Sequence, residues 1–569
     1  MHSILAFIIS AAVLVSLAAA LPAPTPTLQD RASTASVVIS SGTIVGSVSN
    51  GVENYGGIPF AQAPTGSLRL KPPQKLNTSL GTFDASGSGP ACPQMFFSTD
   101  GDLLTSVLGY LLDVPLLQTV TGQTEDCLTM RVQRPEGTAA DAKLPVLFWI
   151  YGGGFELGSP QMYDASSLVS NGVDQDKPFI FVSVNYRVGG FGFLAGKEIL
   201  ADGASNLGLL DQRMGLEWVQ DNIEAFGGDP EKVTIWGESA GAISVFDQMA
   251  LYGGNNTYNG KPLFRAAIMD SGSVVPAAPV DCSRCQDIYD TVVSEAGCAD
   301  EPDTLECLRN ADYDTFLNAA NSVPGILSYT SVSLSYLPRP DGVILPDSPD
   351  VLALGGQYAA VPMIIGDQED EGTLFSLFQP NITTVDEVID YVRDIFFPAL
   401  ERSDVEGLVN TYDHAVAAGS PFNTGELNNP YPQFKLLAAI LGDMVFTLSR
   451  RVFLTSALAA NPDVPSWSYL ASYDYGTPIL GTFHASDILQ VFYGVLPNYA
   501  SKAIQSYYIS FLYTMDPNDG TSSDIADWPQ WGENRELIQF WNNRSNLLAD
   551  DFRSSSSDYI SVNAAKFVI

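Results

Sequence analysis

The chain has 569 residues, with hydrophobic types at 46%, charged types at only 16% and a net charge of −37. Apolar content on this scale repays the entropy of ordering a chain, which excludes a disordered or low-complexity protein. So acidic a surface repels phosphate backbones and anionic headgroups, which argues against nucleic acid as a partner and leaves apolar surface as the route to any lipid contact.

In chain order, residues 4–20 come first as an apolar run, ILAFIISAAVLVSLAAA, ending in small residues before Leu21-Pro22. Residues 1–20 read as a secretory signal cut near Ala20, although the segment ahead of the run holds His2 and no Lys or Arg; a membrane anchor is the competing reading. Residues 21–35, rich in Pro, Thr and Ser, read as a flexible leader or propeptide. No later stretch reaches about 18 apolar residues, so an integral membrane protein is not expected. The expected location is extracellular, where disulfides persist.

Short Val-, Ile- and Gly-containing stretches then suggest a small antiparallel start. Cys92 and Cys127 bracket an insert in which Leu103, Leu104, Val107, Leu108, Leu111 and Leu112 recur at helical spacing until Pro115 interrupts them. From Pro145 the pattern changes. PVLFWIYGGG and PFIFVSVNYR read as buried strands, residues 208–223 as a helix, and KVTIW as a strand followed by the helix AISVFDQMAL. LFRAAIMDSG and VPMIIGDQ are further strand-plus-loop units. Strands alternating with helices predict an α/β fold with a mostly parallel, doubly wound sheet. With no internal repeat and no linker, residues 36–569 read as one large domain with inserts rather than several units.

The six cysteines are even in number. Cys298 and Cys307 close a short loop, and Cys282 and Cys285 form a CxxC that reads as a structural bridge, since no thioredoxin-like context surrounds it. With three histidines in the whole chain and no second CxxC, neither zinc nor any other metal or cofactor is expected. Sequons at Asn77, Asn255, Asn381 and Asn543 read as glycosylated surface loops.

Gly237-Glu238-Ser239-Ala240-Gly241 fits G-x-S-x-G, and its setting between the strand VTIW and a helix gives the match weight. Such a turn exposes a serine hydroxyl at a helix N-terminus, where positive potential favours an oxyanion. The hydroxyl needs a base. Once His2 leaves with the signal, His414 and His484 remain. His414 lies in a polar stretch that suits a solvated ring; His484, in the glycine-bounded loop GTPILGTFHASDIL, is favoured. The acid that orients the imidazole belongs in DQEDEG, after the strand VPMIIG. Asp367, Glu369, Asp370 and Glu371 are all candidates there, and Asp487 is a weaker one. The Ala240 amide and the run Gly152, Gly153 and Gly154 supply candidate oxyanion donors.

These segments, together with NYRVGGFGFLAG, NLGLLDQR and SYLPRPDG, resemble the fungal type-B carboxylesterase and lipase family, the Candida rugosa lipase-like group, and within it the fungal sterol esterases. The likeness runs from about Ser36 to the C-terminus. It implies an α/β-hydrolase fold, with Ser239 as nucleophile, Glu371 as acid, His484 as base, and Gly153, Gly154 and Ala240 as oxyanion donors. It pairs Cys92 with Cys127 and Cys298 with Cys307, which leaves Cys282 for Cys285. It also matches Arg69 and Glu125 to an ion pair at the base of a mobile lid over residues 93–126.

The resulting expectation is a secreted serine hydrolase of lipophilic long-chain acyl esters, sterol esters and triacylglycerols, acting through an acyl-enzyme and activated at lipid–water interfaces. Phe155, Phe246, Phe375 and Phe378 are candidates for the wall of an acyl tunnel, and exposed lid leucines would favour a homodimer. The competing readings are a catalytically dead binding or adhesion module, a broad carboxylesterase for smaller esters, and a peptidase or amidase on the same fold.

Overall fold

The computed structural model describes residues 34–96, 122–493 and 497–569. The signal, nearly all of the leader, and residues 97–121 with the leucine stripe lie outside the described residues.

The chain enters as three strands, β1 (Thr34–Ile39), β2 (Gly42–Ser49) and β3 (Val52–Pro59), each antiparallel to the next, with β4 (Gly81–Asp84) beside β2. There follow β5 (Thr129–Pro135), β6 (Leu144–Ile150), β7 (Ile180–Val184) and β8 (Gly228–Glu238). A small hairpin of β9 (Thr257–Tyr258) and β10 (Lys261–Pro262) stands apart. The sheet resumes with β11 (Ala266–Asp270), β12 (Met363–Gln368), β13 (Ser466–Ala471), β14 (Glu536–Trp541) and β15 (Arg544–Ala549). Thirteen strands share one sheet in the order β1-β2-β3-β5-β7-β6-β8-β11-β12-β13-β14-β15, with β4 to the side. From β7 to β14 every neighbouring pair is parallel; the pairs from β1 to β7 and the pair β14-β15 are antiparallel, while β4 runs parallel to β2.

Central strands such as β7 (IFVSV) and β11 (AAIMD) are buried at every residue, as a parallel sheet covered on both faces requires. Trp236 on β8 stacks on Phe492 at 4.8 Å, and Trp149 on β6 meets Trp236 edge-on at 4.4 Å, so large rings fix the strands that lead to the site. The helix read over 208–223 is observed at Leu207–Asn222. The strand read as KVTIW is longer than its apolar run: β8 continues through Glu238, to the edge of the G-x-S-x-G turn.

Disulfides join Cys92 to Cys127, Cys282 to Cys285 and Cys298 to Cys307. At the base of the Cys92–Cys127 insert, Arg69 grips Glu125 through two parallel hydrogen bonds, 2.6 Å from Nε and 2.7 Å from Nη2. Both groups are buried, and the remaining guanidinium nitrogen donates to the carbonyls of Leu308, Arg309 and Ala311. The near arm of the insert hooks onto the turn after β6. The Gln94 side chain bonds Gly158 through both its oxygen and its nitrogen, and the Met95 amide donates to the Glu156 carbonyl. The four sequon asparagines are all exposed.

Candidate active site

β8 ends at Glu238 and the helix Ala240–Gly254 begins one residue later, so Ser239 must turn the chain alone. It does so at φ 57°, ψ −127°, a conformation that side chains other than glycine rarely adopt. Hydrogen bonds hold it on both sides: the Ser239 amide donates to the Asp270 carbonyl on β11 at 2.9 Å, and the Ser239 carbonyl accepts from Ile243 at 3.0 Å. The helix sits close against β6. A Cβ on Gly241 would lie 2.0 Å from the Ile150 carbonyl oxygen, so that position requires glycine.

The loops after β12 and β13 meet in one parallel bridge, Asp370 against Phe483. The Asp370 amide donates to the Thr482 carbonyl at 2.9 Å, and its carboxylate accepts from the Thr482 amide at 3.0 Å. That register sets Glu371 opposite His484. Glu371 Oε2 lies 2.5 Å from His484 Nδ1, and His484 Nε2 lies 2.8 Å from Ser239 Oγ. The other Glu371 oxygen accepts the Gln368 amide at 2.7 Å, which fixes the carboxylate's rotation. The rings of Phe375 and Phe446, with centroids 5.0 and 4.6 Å away, hold the imidazole in place. All three side chains are buried.

The other sequence candidates are elsewhere. Asp367 pairs with Arg450 at 2.7 Å, Asp370 caps its loop through Ser420 and Phe422, and Glu369 accepts from Asn423. These three are paired and buried, because the whole loop lies inside the fold. His414 is exposed and touches the Val409 carbonyl. Asp487 is buried with neither oxygen hydrogen-bonded among the described residues.

Gly152, Gly153 and Gly154 begin one residue after β6, and Gly152 packs against Ser239. Gly153 has φ 110°, and a Cβ there would lie 2.5 Å from the Leu157 carbonyl oxygen. Ala240 opens the nucleophile-bearing helix, where amides lack intrahelical acceptors.

Ser239 lines a cavity within the described residues. Its wall is apolar, with Ile243, Ile326, Leu337 and Phe446 prominent. Phe155 and Phe375 contribute to it. Phe246 and Phe378 do not: Phe246 packs on Tyr358 and Phe453 in the core, and Phe378 is half-buried against the core.

Around the imidazole stand carboxyls that sequence reading missed. Glu238 Oε1 lies 3.4 Å from His484 Nε2 and has no hydrogen-bond partner among the described residues. Burial, followed by the nearby Asp487, Glu371 and Asp270, pushes the Glu238 carboxyl well above the usual range and disfavours its charged form. Asp270, buried, is pushed up to about 6, held back by hydrogen bonds from Tyr508, Trp236 and Tyr469. The x of G-x-S-x-G was the available signal, because a carboxylate next to a buried nucleophile shares its burial. Among the described residues no cluster of His, Cys, Asp and Glu could hold a metal, and no helix is long and apolar enough to cross a membrane.

Comparison with known proteins gives consistent matches. The model of the carboxylesterase family covers residues 33–556. The chain is 61% identical to a secreted triacylglycerol lipase of Gibberella zeae, covering 96% of this chain and 93% of that one. It is 60% identical to secreted lipase 1 of Botryotinia fuckeliana, over 95% of each. The crystal structure of Aspergillus niger EstA superposes with a TM-score of 0.80 at 26% identity, covering 94% of this chain and 99% of that one.

Proposed function

Because the chain belongs to the carboxylesterase family, we propose that Ser239, His484 and Glu371 act as nucleophile, base and orienting acid in the hydrolysis of long-chain acyl esters. The protein is a carboxylic ester hydrolase of the lipase type, and it works outside the cell. The observation that carries the catalytic reading is the pair of contacts through one imidazole, 2.8 Å to the hydroxyl and 2.5 Å to the carboxylate.

In this reading Ser239 Oγ attacks the ester carbonyl as His484 Nε2 takes its proton, and Glu371 steadies the imidazolium through Nδ1. The amides of Gly153, Gly154 and Ala240 receive the oxyanion. The alcohol leaves with the proton from His484, and water then releases the acid from the acyl-serine by the same steps. An apolar-walled cavity beside Ser239 suits a long acyl chain, which supports triacylglycerols and sterol esters over small esters.

A fluorophosphonate should label Ser239 in the purified protein. Triolein and cholesteryl oleate should be cleaved faster than short p-nitrophenyl esters, and Ser239→Ala should lose about 10⁴-fold or more in kcat. An unlabelled Ser239 would overturn the reading.

The leucine stripe between Cys92 and Cys127 is read as a cover that turns its apolar side to lipid; the same side facing a second copy would give a homodimer. Burying about 500 Å² of apolar surface at an interface returns on the order of 12 kcal/mol before ordering costs. Activity on a long-chain ester should therefore rise sharply once the substrate aggregates. A strictly hyperbolic response across that point would sink the cover.

A further inference from the structure

The helix that carries Ser239 at its N-terminus reads AGAISVFDQMALYGG, an apolar segment interrupted by Asp247 and Gln248. Gln248 is satisfied, donating to the Leu209 carbonyl and to Gln212. Asp247 is not. It is fully buried, and neither carboxyl oxygen has a hydrogen-bond partner among the described residues. A carboxyl left in that state costs free energy, so something must offset it.

Its position suggests what. Asp247 lines the same cavity as Ser239, Ala240 and Ile243, spaced so that Ile243 and Asp247 share one helix face. It lies eight residues beyond Ser239, about 12 Å along the axis at 1.5 Å per residue. An acyl chain esterified at Ser239 and running down this wall reaches Asp247 with its middle carbons, not with its carboxyl end. Among the described residues that line the cavity, Ser239 and Asp247 are the ones whose side chains can hydrogen-bond.

We infer that Asp247 selects acyl groups bearing a mid-chain hydroxyl, pairing with that hydroxyl inside the acyl cavity. Burial with no nearby cation drives the carboxyl well above its usual range, so it stands neutral with one donor and one acceptor. An alcohol oxygen matches both at once, donating to the carboxyl C=O and accepting from its O–H. A ketone or epoxide could only accept. A plain alkyl chain leaves the carboxyl unpaired, which is how sites built for a substrate hydroxyl reject the analogue that lacks it.

The inference rests on the ester-hydrolase reading, and the test separates the two. Oleoyl and ricinoleoyl p-nitrophenyl esters share one chain length and one double bond and differ by a single mid-chain hydroxyl. Presented in the same mixed micelles, the ricinoleoyl ester should be preferred about tenfold in kcat/KM, with most of the difference in KM. Asp247→Asn keeps a donor and an acceptor and should keep the preference. Asp247→Leu should bring the ratio to one or below.

A wild-type ratio near one, or an Asp247→Leu variant that keeps the wild-type ratio, overturns the inference and leaves ester hydrolysis standing. If Asp247→Leu does not fold, the wild-type and Asp247→Asn ratios still decide. Failure to cleave either ester, with Ser239 unlabelled by a fluorophosphonate, removes the hydrolase reading and this inference with it.

Discussion

On one side of Ser239 the wall is made of Ile243, Ile326, Leu337 and Phe446; on the other, Glu238, Asp270, Glu371 and Asp487 crowd around His484. Both regions are buried, and burial does opposite work in them. In the apolar cavity it removes water from the path of an acyl chain. Among the carboxyls it suppresses charge: Glu238 and Asp487 are pushed well above the usual range, chiefly by desolvation. What distinguishes Glu371 from Glu238 and Asp487 is directed hydrogen bonding, from the Gln368 amide on one oxygen and the imidazole on the other; Asp270 also has fixed donors, but they are Trp236, Tyr469 and Tyr508 rather than the ring. Proximity to His484 alone is therefore a poor guide to role.

The most severe way to break this comparison is to keep the shape of Glu371 and remove its charge. In Glu371→Gln the amide oxygen must face the Gln368 N–H, which turns the NH₂ toward His484 Nδ1. The ring then carries its proton on Nε2, facing Ser239, and cannot accept the serine proton. kcat should fall by about 10⁴-fold with the melting temperature little changed. Retention of more than a tenth of the activity would mean that another carboxyl of the group orients the ring. A smaller loss should follow Gly153→Ala, because φ 110° and the Leu157 carbonyl at 2.5 Å force the backbone to move. A displaced oxyanion donor costs about 10²–10³-fold in kcat, read as slowed turnover of a soluble ester and slowed fluorophosphonate labelling.

The sequence carried local features well and convergence poorly. β6, β7, β11 and β12 were readable because buried parallel strands are short apolar runs, and the glycines around Ser239 mark the turn. With only three histidines in the chain, the choice of base was narrow. The acid was not legible from the residues alone. Four carboxylates lie in DQEDEG, and only the Asp370–Phe483 bridge, a contact between distant segments, sets Glu371 across from the ring. Family likeness supplied that choice where periodicity could not. Phe246 misled because nearness in sequence to Ser239 says nothing of helix face: it points to Phe453, while Ile243 and Asp247 face the cavity. Asp247 itself was visible as a lone acid in an apolar helix, but its lack of partners is a fact of the fold.

The finest test of the comparison is Glu238→Gln. Glu238 Oε1 is 3.4 Å from His484 Nε2, the ring nitrogen that faces the serine. Were Glu238 ionised, it would stabilise the imidazolium, and losing its charge would resemble losing Glu371. Since burial and the surrounding Asp487, Glu371 and Asp270 favour its uncharged form, glutamine is the substitution that keeps its planar shape and size. The expected change in kcat/KM is under about tenfold, with the pH profile below neutrality unaltered. A loss approaching that of Glu371→Gln, or a shifted acid limb, would show that a second negative charge operates on the polar side, and burial would then no longer explain why one carboxylate among several orients the ring.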